Sequence, residues 1–289
     1  MTSAPTVSVI TISFNDLDGL QRTVKSVRAQ RYRGRIEHIV IDGGSGDDVV
    51  AYLSGCEPGF AYWQSEPDGG RYDAMNQGIA HASGDLLWFL HSADRFSGPD
   101  VVAQAVEALS GKGPVSELWG FGMDRLVGLD RVRGPIPFSL RKFLAGKQVV
   151  PHQASFFGSS LVAKIGGYDL DFGIAADQEF ILRAALVCEP VTIRCVLSSS
   201  TPRASARTGN QARSSVICAA WATFIAATRS GEGEYHMPTY AAGSSTPTTV
   251  DSGKTSSREC RNRLTRRRVN RCPGRRCHRP AAFDRCGGR

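Results

Sequence analysis

The sequence predicts an α/β fold with a mainly parallel sheet covered by helices on both sides. Val7–Ser13 is β-branched and nearly all apolar, and Leu86–Leu90 is apolar throughout. Such segments are typical of strands that are buried on both faces. Ile36–Asp42 is a further predicted strand, and it ends in a glycine-rich turn. Segments with apolar residues at helical spacing alternate with these strands, which favours a parallel sheet.

The remaining elements follow from local patterns. Asn15 and Asp16 offer an N-cap to a helix whose apolar residues recur every three or four positions. Pro99 suits the first turn of a later helix. Further helices are predicted near residues 49–53, 75–82, 102–109, 137–144 and 177–186. Further strands are predicted at 60–64, at one or two places within 119–133, and at 191–197.

The composition changes abruptly at Ser198. Residues 1–197 carry a net charge of −4 and residues 198–289 carry +12, so the formal charge of +8 belongs to the second segment. That segment is rich in Ser, Thr and Arg and has little apolar periodicity outside Val216–Ala227. It can bury too little apolar surface to offset its ordering entropy. We predict a folded domain over residues 1–197 and a largely disordered basic tail over 198–289.

Cysteine usage and apolar runs bear on cellular location. Cys56, Cys188 and Cys195 lack the close spacing of metal ligands, which favours reduced, structural thiols. The first residues, Met1–Pro5, have neither the basic start nor the following apolar block of a secretory signal. The longest apolar run, Val216–Ala227, is too short to span a bilayer. The expected location is the cytoplasm, with peripheral association at the inner face of the plasma membrane left open.

Polar side chains follow the predicted strands. Ser13, Phe14 and Asn15 follow the first strand, Asp42 ends the second, and Asp94 comes after Leu86–Leu90. The carboxyl ends of parallel strands share one edge of the sheet, where ligands bind. Two carboxylates at that edge can hold a divalent cation or accept hydrogen bonds from a nucleoside, although each alone is also typical of a turn.

Two nucleotide-binding motifs are missing from the sequence. No GxGxxG follows the first predicted strand, and GxxxxGK[ST] occurs nowhere in the chain. A nicotinamide-cofactor fold and a P-loop enzyme are therefore disfavoured. A diphosphate bound here would need a metal ion and basic side chains in place of a glycine-rich cradle.

Six segments of the sequence occur in an order and at intervals that indicate a family resemblance. They are VSVITISFN, VIDGGSGD, SEPDGGRYDAMNQGI, WFLHSADRF, VVPHQASFF and IGGYDLDFGIAADQEFILRA. Over about Pro5–Leu197 the chain resembles the inverting family 2 glycosyltransferases, which have the GT-A fold. The resemblance implies a donor half over about 1–98 and an acceptor half over about 99–197. It also implies transfer of a sugar from a nucleotide-diphospho sugar, usually a UDP-sugar, to an acceptor hydroxyl with inversion. The process would be cell-surface polysaccharide or glycolipid synthesis.

The resemblance also implies roles for individual residues. The implied donor-binding residues are Ser13, Phe14, Asn15, Asp42, Asp68, Arg71 and Ala93. Asp42 matches the carboxylate that hydrogen-bonds the base, usually uracil. Asp68 and Arg71 lie in the loop that holds the nucleotide and diphosphate, and the planar fork of Arg suits a diphosphate.

The remaining implied roles concern the metal and the acceptor. Asp94 matches the last acid of the metal motif, which would hold Mn²⁺ or Mg²⁺. Asp177 matches the catalytic base, although its place at a predicted helix start also fits an N-cap. His152 and Gln153 match a His-Gln pair that would shape the acceptor pocket. The stretch from His91 has one acid where the family often has two, which leaves few protein ligands for the metal.

The segment after Leu197 does not resemble the end of such a domain. We hypothesise that it is translated out of frame, and reading the DNA in the other two frames tests this. A damaged acceptor side would leave an inactive remnant that binds nucleotide sugar weakly or not at all. Alternatively, Arg261–Arg276, with eight arginines, would bind nucleic acid or anionic lipid. It has no aromatic residue for base stacking, so no specific nucleic acid is expected. A zinc site at Cys272, Cys277, His278 and Cys286 is disfavoured, because the spacing of these residues is not typical of zinc ligands.

Overall fold

The computed structural model of the chain describes residues 4–129 and 131–201. Within these ranges the strands are β1 (Val7–Ser13), β2 (Ile36–Asp42), β3 (Tyr62–Ser65), β4 (Leu86–His91), β5 (Arg95–Phe96), β6 (Trp119–Leu126), β7 (Arg131–Arg133), β8 (Ser155–Gly158) and β9 (Val191–Ser200). The α-helices are α1 (Leu17–Arg28), α2 (Asp47–Ser54), α3 (Arg71–Ala80), α4 (Val101–Leu109), α5 (Leu140–Leu144), α6 (Ser159–Ile165) and α7 (Ala176–Val187).

All described strands belong to one sheet. Its order is β3-β2-β1-β4-β8-β6-β9-β5, with β7 paired to β6 outside this path. The four strands β3, β2, β1 and β4 are parallel to one another. Ser13 at the end of β1 is opposite Asp42 on β2, and Ile12 is opposite His91 on β4. The carboxyl ends of these strands therefore share one edge of the sheet, as predicted.

The second half of the sheet mixes strand directions. Strand β8 runs antiparallel to both β4 and β6, whereas β9 runs parallel to β6 and β5 antiparallel to β9. Helices flank both faces, so the predicted GT-A-like α/β class is confirmed. The antiparallel pairs begin at the junction between β4 and β8, where the predicted donor and acceptor halves meet.

The hydrophobic core occupies both faces of the sheet. Neighbouring residues on one strand point to opposite sides, so Trp88 packs in one cluster and Phe89 in the other. Phe156 and Phe157 on β8 divide in the same way. This burial on both faces explains why the central strands are apolar without alternation. These two clusters contain residues from both halves of the sequence, so the halves share a core, whereas a third, smaller cluster around Leu20 and Val40 belongs to the first half.

Several boundaries differ from the sequence-based prediction. Helix α1 has the predicted cap, because the Asp16 side chain accepts a hydrogen bond from the Gly19 N–H at 2.9 Å. Pro99 does not lie in the first turn of α4, which begins at Val101. Strand β8 and helix α6 were not predicted, because each is short and lacks an extended apolar period. Cys56, Cys188 and Cys195 are free thiols.

The last described strand extends past the predicted domain boundary. Strand β9 continues to Ser200, because the hydroxyls of Ser198 and Ser200 donate to the buried carboxylate of Asp124, each at 2.7 Å. Arg133 on β7 donates to the same carboxylate at 2.8 Å. The predicted disorder of the tail and its candidate arginine and zinc sites fall within residues 202–289, outside the described part. Among the described helices, none has the length and apolarity needed to cross a membrane.

Candidate active site

A cleft of about 740 Å³ opens at the carboxyl edge of the parallel strands. Its volume is in the range of small-molecule sites, and its position is where ligands bind open α/β sheets. The sequence-predicted residues that line it are Ser13, Phe14, Asp68 and Arg71. His91, the last residue of β4, and Ser92, which follows it, also line the cleft. The structure therefore brings together residues from β1, the loop before α3, and β4.

The loop after β1 combines a buried hydroxyl with an exposed ring. Ser13 is buried, and its Oγ has no hydrogen-bond partner among the described residues. The Phe14 side chain is 64% exposed at the cleft. Asn15 has a positive φ of 50°, and its N–H donates to Ser45 Oγ at 2.7 Å. A buried hydroxyl and an exposed aromatic face are groups that a bound nucleoside can satisfy and cover.

Asp42 lies beneath the cleft wall and is fully buried. Its carboxylate accepts hydrogen bonds from the Ser45 N–H at 2.8 Å, from Ser45 Oγ at 2.6 Å and from Ser65 Oγ at 2.7 Å. It is not one of the residues that line the cleft, whereas the adjacent Gly43 is. In this structure the contacts of Asp42 hold the glycine-rich loop, and its predicted contact with a base stays a prediction.

The loop before α3 presents a basic side chain at a helix start. Asp68 Oδ1 accepts a hydrogen bond from the Gly70 N–H at 2.7 Å, which closes a tight turn. Gly70 has a φ of 103°, a conformation that favours glycine. Arg71 is the first residue of the ten-residue α3. Its guanidinium and the positive end of the helix dipole both favour an anion at this place.

The turn after β4 holds the predicted metal ligand. Asp94 is buried, and its N–H donates to the His91 carbonyl at 2.9 Å. Thr23 Oγ1 on α1 donates to the Asp94 carbonyl at 2.7 Å and fixes the turn. Ala93 adopts a φ of 70°, and with Asn15 it is one of two non-glycine residues with positive φ in the described chain. Such strain is frequent at functional loops.

The turn after β4 offers few side chains that could bind a metal ion. Among the described residues, no group of three or more His, Cys, Asp and Glu side chains converges to bind a metal ion. Asp94 itself does not line the cleft, although His91 and Ser92 of the same turn do. The carboxylate of Asp94 stays a predicted metal ligand, and a cation held there would take most of its ligands from a diphosphate and water.

The predicted acceptor-side residues lie beyond this cleft lining. His152 is buried, and its Nε2 is 2.7 Å from the hydroxyl of Tyr168. Gln153 is half-buried, and its carbonyl accepts a hydrogen bond from Trp88 Nε1 at 2.9 Å. Asp177 lies in the first turn of α7 with 8% of its surface exposed. The rings of His91 and His152 are 5.7 Å apart, which connects the acceptor side to the turn after β4.

Sequence reasoning missed four residues that organise the site. Thr23 fixes the turn after β4, and Ser45 links the loops after β1 and β2. Tyr168 contacts His152, and Asn76 on α3 binds the main chain of Tyr168. Ser45, Asn76 and Tyr168 lie within motifs that were recognised in the sequence. The role of Thr23 has no local signal, because its partners in the turn after β4 are about 70 positions away in the chain.

The fold and the cleft define an α/β protein of the GT-A type, with its ligand cleft at the carboxyl ends of parallel strands. A family model described as Glycosyl transferase family 2 matches residues 8–156. The match covers more than half of the chain. The chain therefore belongs to glycosyl transferase family 2, and its class is that of the glycosyltransferases.

Curated relatives and solved structures agree with this family. The Mycobacterium tuberculosis "PGL/p-HBAD biosynthesis glycosyltransferase" is 29% identical over 184 residues, which cover 63% of this chain and 70% of the relative. The crystal structure of Staphylococcus aureus TarS aligns with a TM-score of 0.55 at 15% identity. That alignment covers 68% of this chain and spans 37% of the TarS chain.

Two neighbouring structures contain ligands. TarS 1-349 in complex with UDP-GlcNAc aligns with a TM-score of 0.53 at 16% identity, covering 68% of this chain and 59% of that one. The Pyrobaculum calidifontis mannosyltransferase PcManGT, in complex with GDP-Man and Mn²⁺, aligns with a TM-score of 0.53 at 18% identity. That match covers 81% of this chain and 77% of the other. At these identities the likeness establishes the fold.

Proposed function

We propose that this chain transfers a sugar from a nucleotide-diphospho sugar, with a UDP-sugar as the first choice, to an acceptor hydroxyl with inversion. The observation that carries the proposal is the cleft lined by Ser13, Phe14, Asp68 and Arg71 at the carboxyl edge of the sheet. It offers an aromatic face, a buried hydroxyl and a cation at a helix start. These groups match a base, a ribose and a diphosphate in turn.

Three of these lining residues contact the donor directly in this proposal, and two residues behind them support the loops. Phe14 covers the base, and Ser13 hydrogen-bonds the nucleoside. Arg71 neutralises the diphosphate, whose negative charge grows as the sugar leaves. Asn15 and Asp42 shape the loops around the base through their contacts with Ser45.

The reaction is a single displacement at the anomeric carbon. The acceptor oxygen forms a bond to that carbon while the bond to the diphosphate oxygen breaks, and the configuration inverts. Asp177 takes the proton of the acceptor hydroxyl onto its carboxylate. Asp94 would hold Mn²⁺ or Mg²⁺, which supplies positive charge to the diphosphate when bound. His152 and Gln153 shape the acceptor side, and Ala93 sets the backbone of the turn that carries Asp94.

The acceptor class follows from the relatives named above and is equally a proposal. A relative named for PGL/p-HBAD biosynthesis favours a glycolipid or a related cell-envelope acceptor. A lipid acceptor would require the protein to act at a membrane surface. The rival proposal, a folded remnant that binds nucleotide sugar without turnover, makes a different prediction in the experiment below.

Two variants separate binding from chemistry. Asp177→Asn removes the proton acceptor, so we expect turnover to fall about 10²- to 10⁴-fold while UDP affinity is unchanged. Arg71→Gln removes the diphosphate cation, so we expect UDP affinity to fall about tenfold or more. Turnover is measured as nucleoside diphosphate release from UDP-GlcNAc and GDP-mannose, and affinity by calorimetry with UDP.

Matched controls come from exposed residues of α1. Asp18→Asn and Arg22→Gln make the same chemical changes on a surface away from the cleft, so neither is expected to change turnover or affinity. Wild-type binding of UDP without turnover of any donor would favour the remnant. Full turnover by Asp177→Asn would exclude Asp177 as the base.

A further inference from the structure

Tyr168 joins the two sides of the site, and neither the family match nor the relatives give it a role. We propose that Tyr168 is a positioning residue that ties helix α3, which carries Arg71, to His152 and Asp177. This inference rests on the proposed function, because it assigns a task within the same reaction. The motif IGGYD, at Ile165–Asp169, builds the connection.

The first step is the clamp between α3 and the main chain of Tyr168. Asn76 Oδ1 accepts a hydrogen bond from the Tyr168 N–H at 2.7 Å, and Asn76 Nδ2 donates to the Tyr168 carbonyl at 2.9 Å. The Asn76 amide thereby satisfies both the N–H and the carbonyl of the Tyr168 main chain. A Cβ atom on Gly167 would lie 2.5 Å from Asn76 Oδ1, so the clamp needs glycine at that position. Asn76 lies on the same helix as Arg71, which places the donor-side cation and Tyr168 in one rigid unit.

The second step is the clamp from α7. The Arg183 guanidinium donates to the carbonyls of Ile165 and Gly167, the latter at 2.7 Å. Glu179 accepts two hydrogen bonds from Arg183, each at 2.7 Å, and holds the guanidinium in place. Helix α7 also carries Asp177 in its first turn. The loop that presents Tyr168 is therefore fixed from the donor side and from the acceptor side.

The third step is the side chain of Tyr168 itself. It is 2% exposed, and its ring stacks on Phe180 with centroids 4.3 Å apart. The hydroxyl is 2.7 Å from His152 Nε2, and the His152 ring is in turn 5.7 Å from the His91 ring at the cleft. Because the ring is packed on Phe180, the loop that carries Tyr168 holds its hydroxyl against His152.

The charge environment keeps Tyr168 in its protonated form. Burial raises the pKa of Tyr168 well above its usual value, and the negative charge of Asp177 raises it further. Tyr72 acts in the same direction, whereas the positive charge of Arg183 opposes it. A neutral phenol has one proton to donate, and a neutral imidazole nitrogen accepts it. The protonated hydroxyl is therefore available for a hydrogen bond with His152 Nε2.

The test removes only the hydroxyl. In Tyr168→Phe the ring packing stays, so we expect a folded protein whose turnover of UDP-GlcNAc or GDP-mannose falls about ten- to a hundredfold through misplaced groups. We expect the donor KM and the affinity for UDP to stay within about twofold, because Ser13, Phe14 and Arg71 are unchanged. Tyr32→Phe is the matched control, since it loses a 2.6 Å hydrogen bond to the Pro5 carbonyl at the opposite edge of the sheet.

Two results would overturn the proposal. One is a turnover loss in Tyr168→Phe no larger than that in Tyr32→Phe, and the other is a loss that falls entirely on the donor KM. If Tyr168→Phe does not fold, Asn76→Ala removes the clamp and leaves the hydroxyl, and the same split between turnover and KM is expected. An Asn76→Ala protein with normal turnover would contradict the connection to α3.

A spectroscopic measurement separates this proposal from the proposed function. The ¹⁵N resonances of His152 report its tautomer without any substrate, and we expect Tyr168→Phe to change them while Tyr32→Phe does not. If the wild-type protein turns over no donor, the proposed function fails, and these resonances still decide whether Tyr168 sets His152. Unchanged His152 resonances in Tyr168→Phe would overturn the inference whatever the activity.

Discussion

Asp42 illustrates how burial decides what a carboxylate can do. It accepts three hydrogen bonds from Ser45 and Ser65 and has no exposed surface. A buried carboxylate is stable only when such donors satisfy it, so its first task is to fix the loop after β2. A carboxylate that contacts a base directly would select among nucleotides, whereas one that fixes a loop affects all of them equally.

The variant Asp42→Asn distinguishes these two roles. An amide would turn an N–H group toward donors of Ser45 or Ser65, so we expect the free energy of unfolding to fall by about 2 to 4 kcal/mol. We also expect UDP and GDP affinities to fall by similar factors. Urea unfolding and calorimetry measure both, with the exposed Asp47→Asn as control. A change in preference between UDP and GDP at unaltered stability would instead assign Asp42 to the base.

His38 is a buried titratable group at the opposite edge of the sheet. It lies beside a cavity of about 610 Å³, and Thr11 Oγ1 is 2.9 Å from its Nε2. Burial lowers the pKa of His38 to about 3, and the charge of Arg28 acts in the same direction. In the unfolded chain His38 becomes protonated near pH 6.5, whereas in the folded chain it stays neutral until the pH approaches 3. Stability is therefore full above pH 6.5 and falls as the pH drops through this window.

The pH dependence of unfolding tests this assignment. Between pH 7 and pH 5 we expect His38 to reduce the free energy of unfolding by about 2 kcal/mol, since the slope is about 1.4 kcal/mol per pH unit below pH 6.5. Urea titrations of His38→Gln are expected to lack this component. The exposed His81→Gln serves as control. If the free energy of unfolding falls equally between pH 7 and pH 5 in wild type and in His38→Gln, His38 is not the cause of the pH dependence.

At the scale of elements, helix α3 connects the cleft to the sheet. It begins at Arg71 in the cleft, and its Gly78 packs directly on β1. A Cβ atom at Gly78 would lie 2.3 Å from Ile10 Cγ2, and Ile10 is fully buried. The helix can approach the sheet this closely only because residue 78 lacks a side chain.

The variant Gly78→Ala tests this packing. The added methyl group forces α3 away from β1, so we expect unfolding free energy to fall by about 1 to 3 kcal/mol. UDP affinity is also expected to fall, because Arg71 moves with the helix. Gly98→Ala is the control, since a Cβ atom there meets nothing within 4 Å. Equal stability of the two variants would contradict the close packing of α3.

The elements also show what the sequence could predict. Strands β1 and β2 match their predicted bounds, because continuous apolar segments flanked by polar turns are distinctive. Strand β8 and the two-residue β5 escaped prediction, since they exist through pairing with distant strands. Ser198 and Ser200 were assigned to the polar tail from the sequence, whereas in the structure they belong to β9 and donate hydrogen bonds to Asp124.

The candidate site shows the same division between local and distant causes. Ser13 and Phe14 were predicted because they follow the first strand, at the edge of the sheet where the cleft lies. Asp68 and Arg71 were predicted from the family resemblance alone. The contact of Tyr168 with Asn76 was not predicted, since it joins residues that are 92 positions apart in the chain. Resemblance to a family indicated which positions to examine, but only the fold shows which of them meet. Whether Asp42 and Asp177 act as predicted is decided by the variants above.

At the scale of the whole molecule, the described residues form one continuous sheet. Strand β4 pairs with β1 on one side and with β8 on the other, so the predicted donor and acceptor halves share one sheet and one hydrophobic core. The charge is divided differently, with −4 over residues 1–197 and +12 over 198–289. In the proposed function, the attraction for a diphosphate would come from Arg71 and the start of α3, because the net charge of the first 197 residues is negative.

The central claim is that this cleft binds a nucleotide-diphospho sugar. The most direct measurement is the thermal unfolding midpoint of the full chain with UDP-, GDP- and dTDP-sugars, with and without Mn²⁺. A donor at about a hundred times its Kd stabilises the folded state by about 2.7 kcal/mol. We expect one nucleotide class to raise the midpoint by roughly 5 to 10 °C. This rise is expected to be smaller without Mn²⁺ and to fall by about half or more in Arg71→Gln, whose affinity is expected to be lower by about tenfold or more. A single clean transition that no nucleotide moves, with or without Mn²⁺, would contradict the claim.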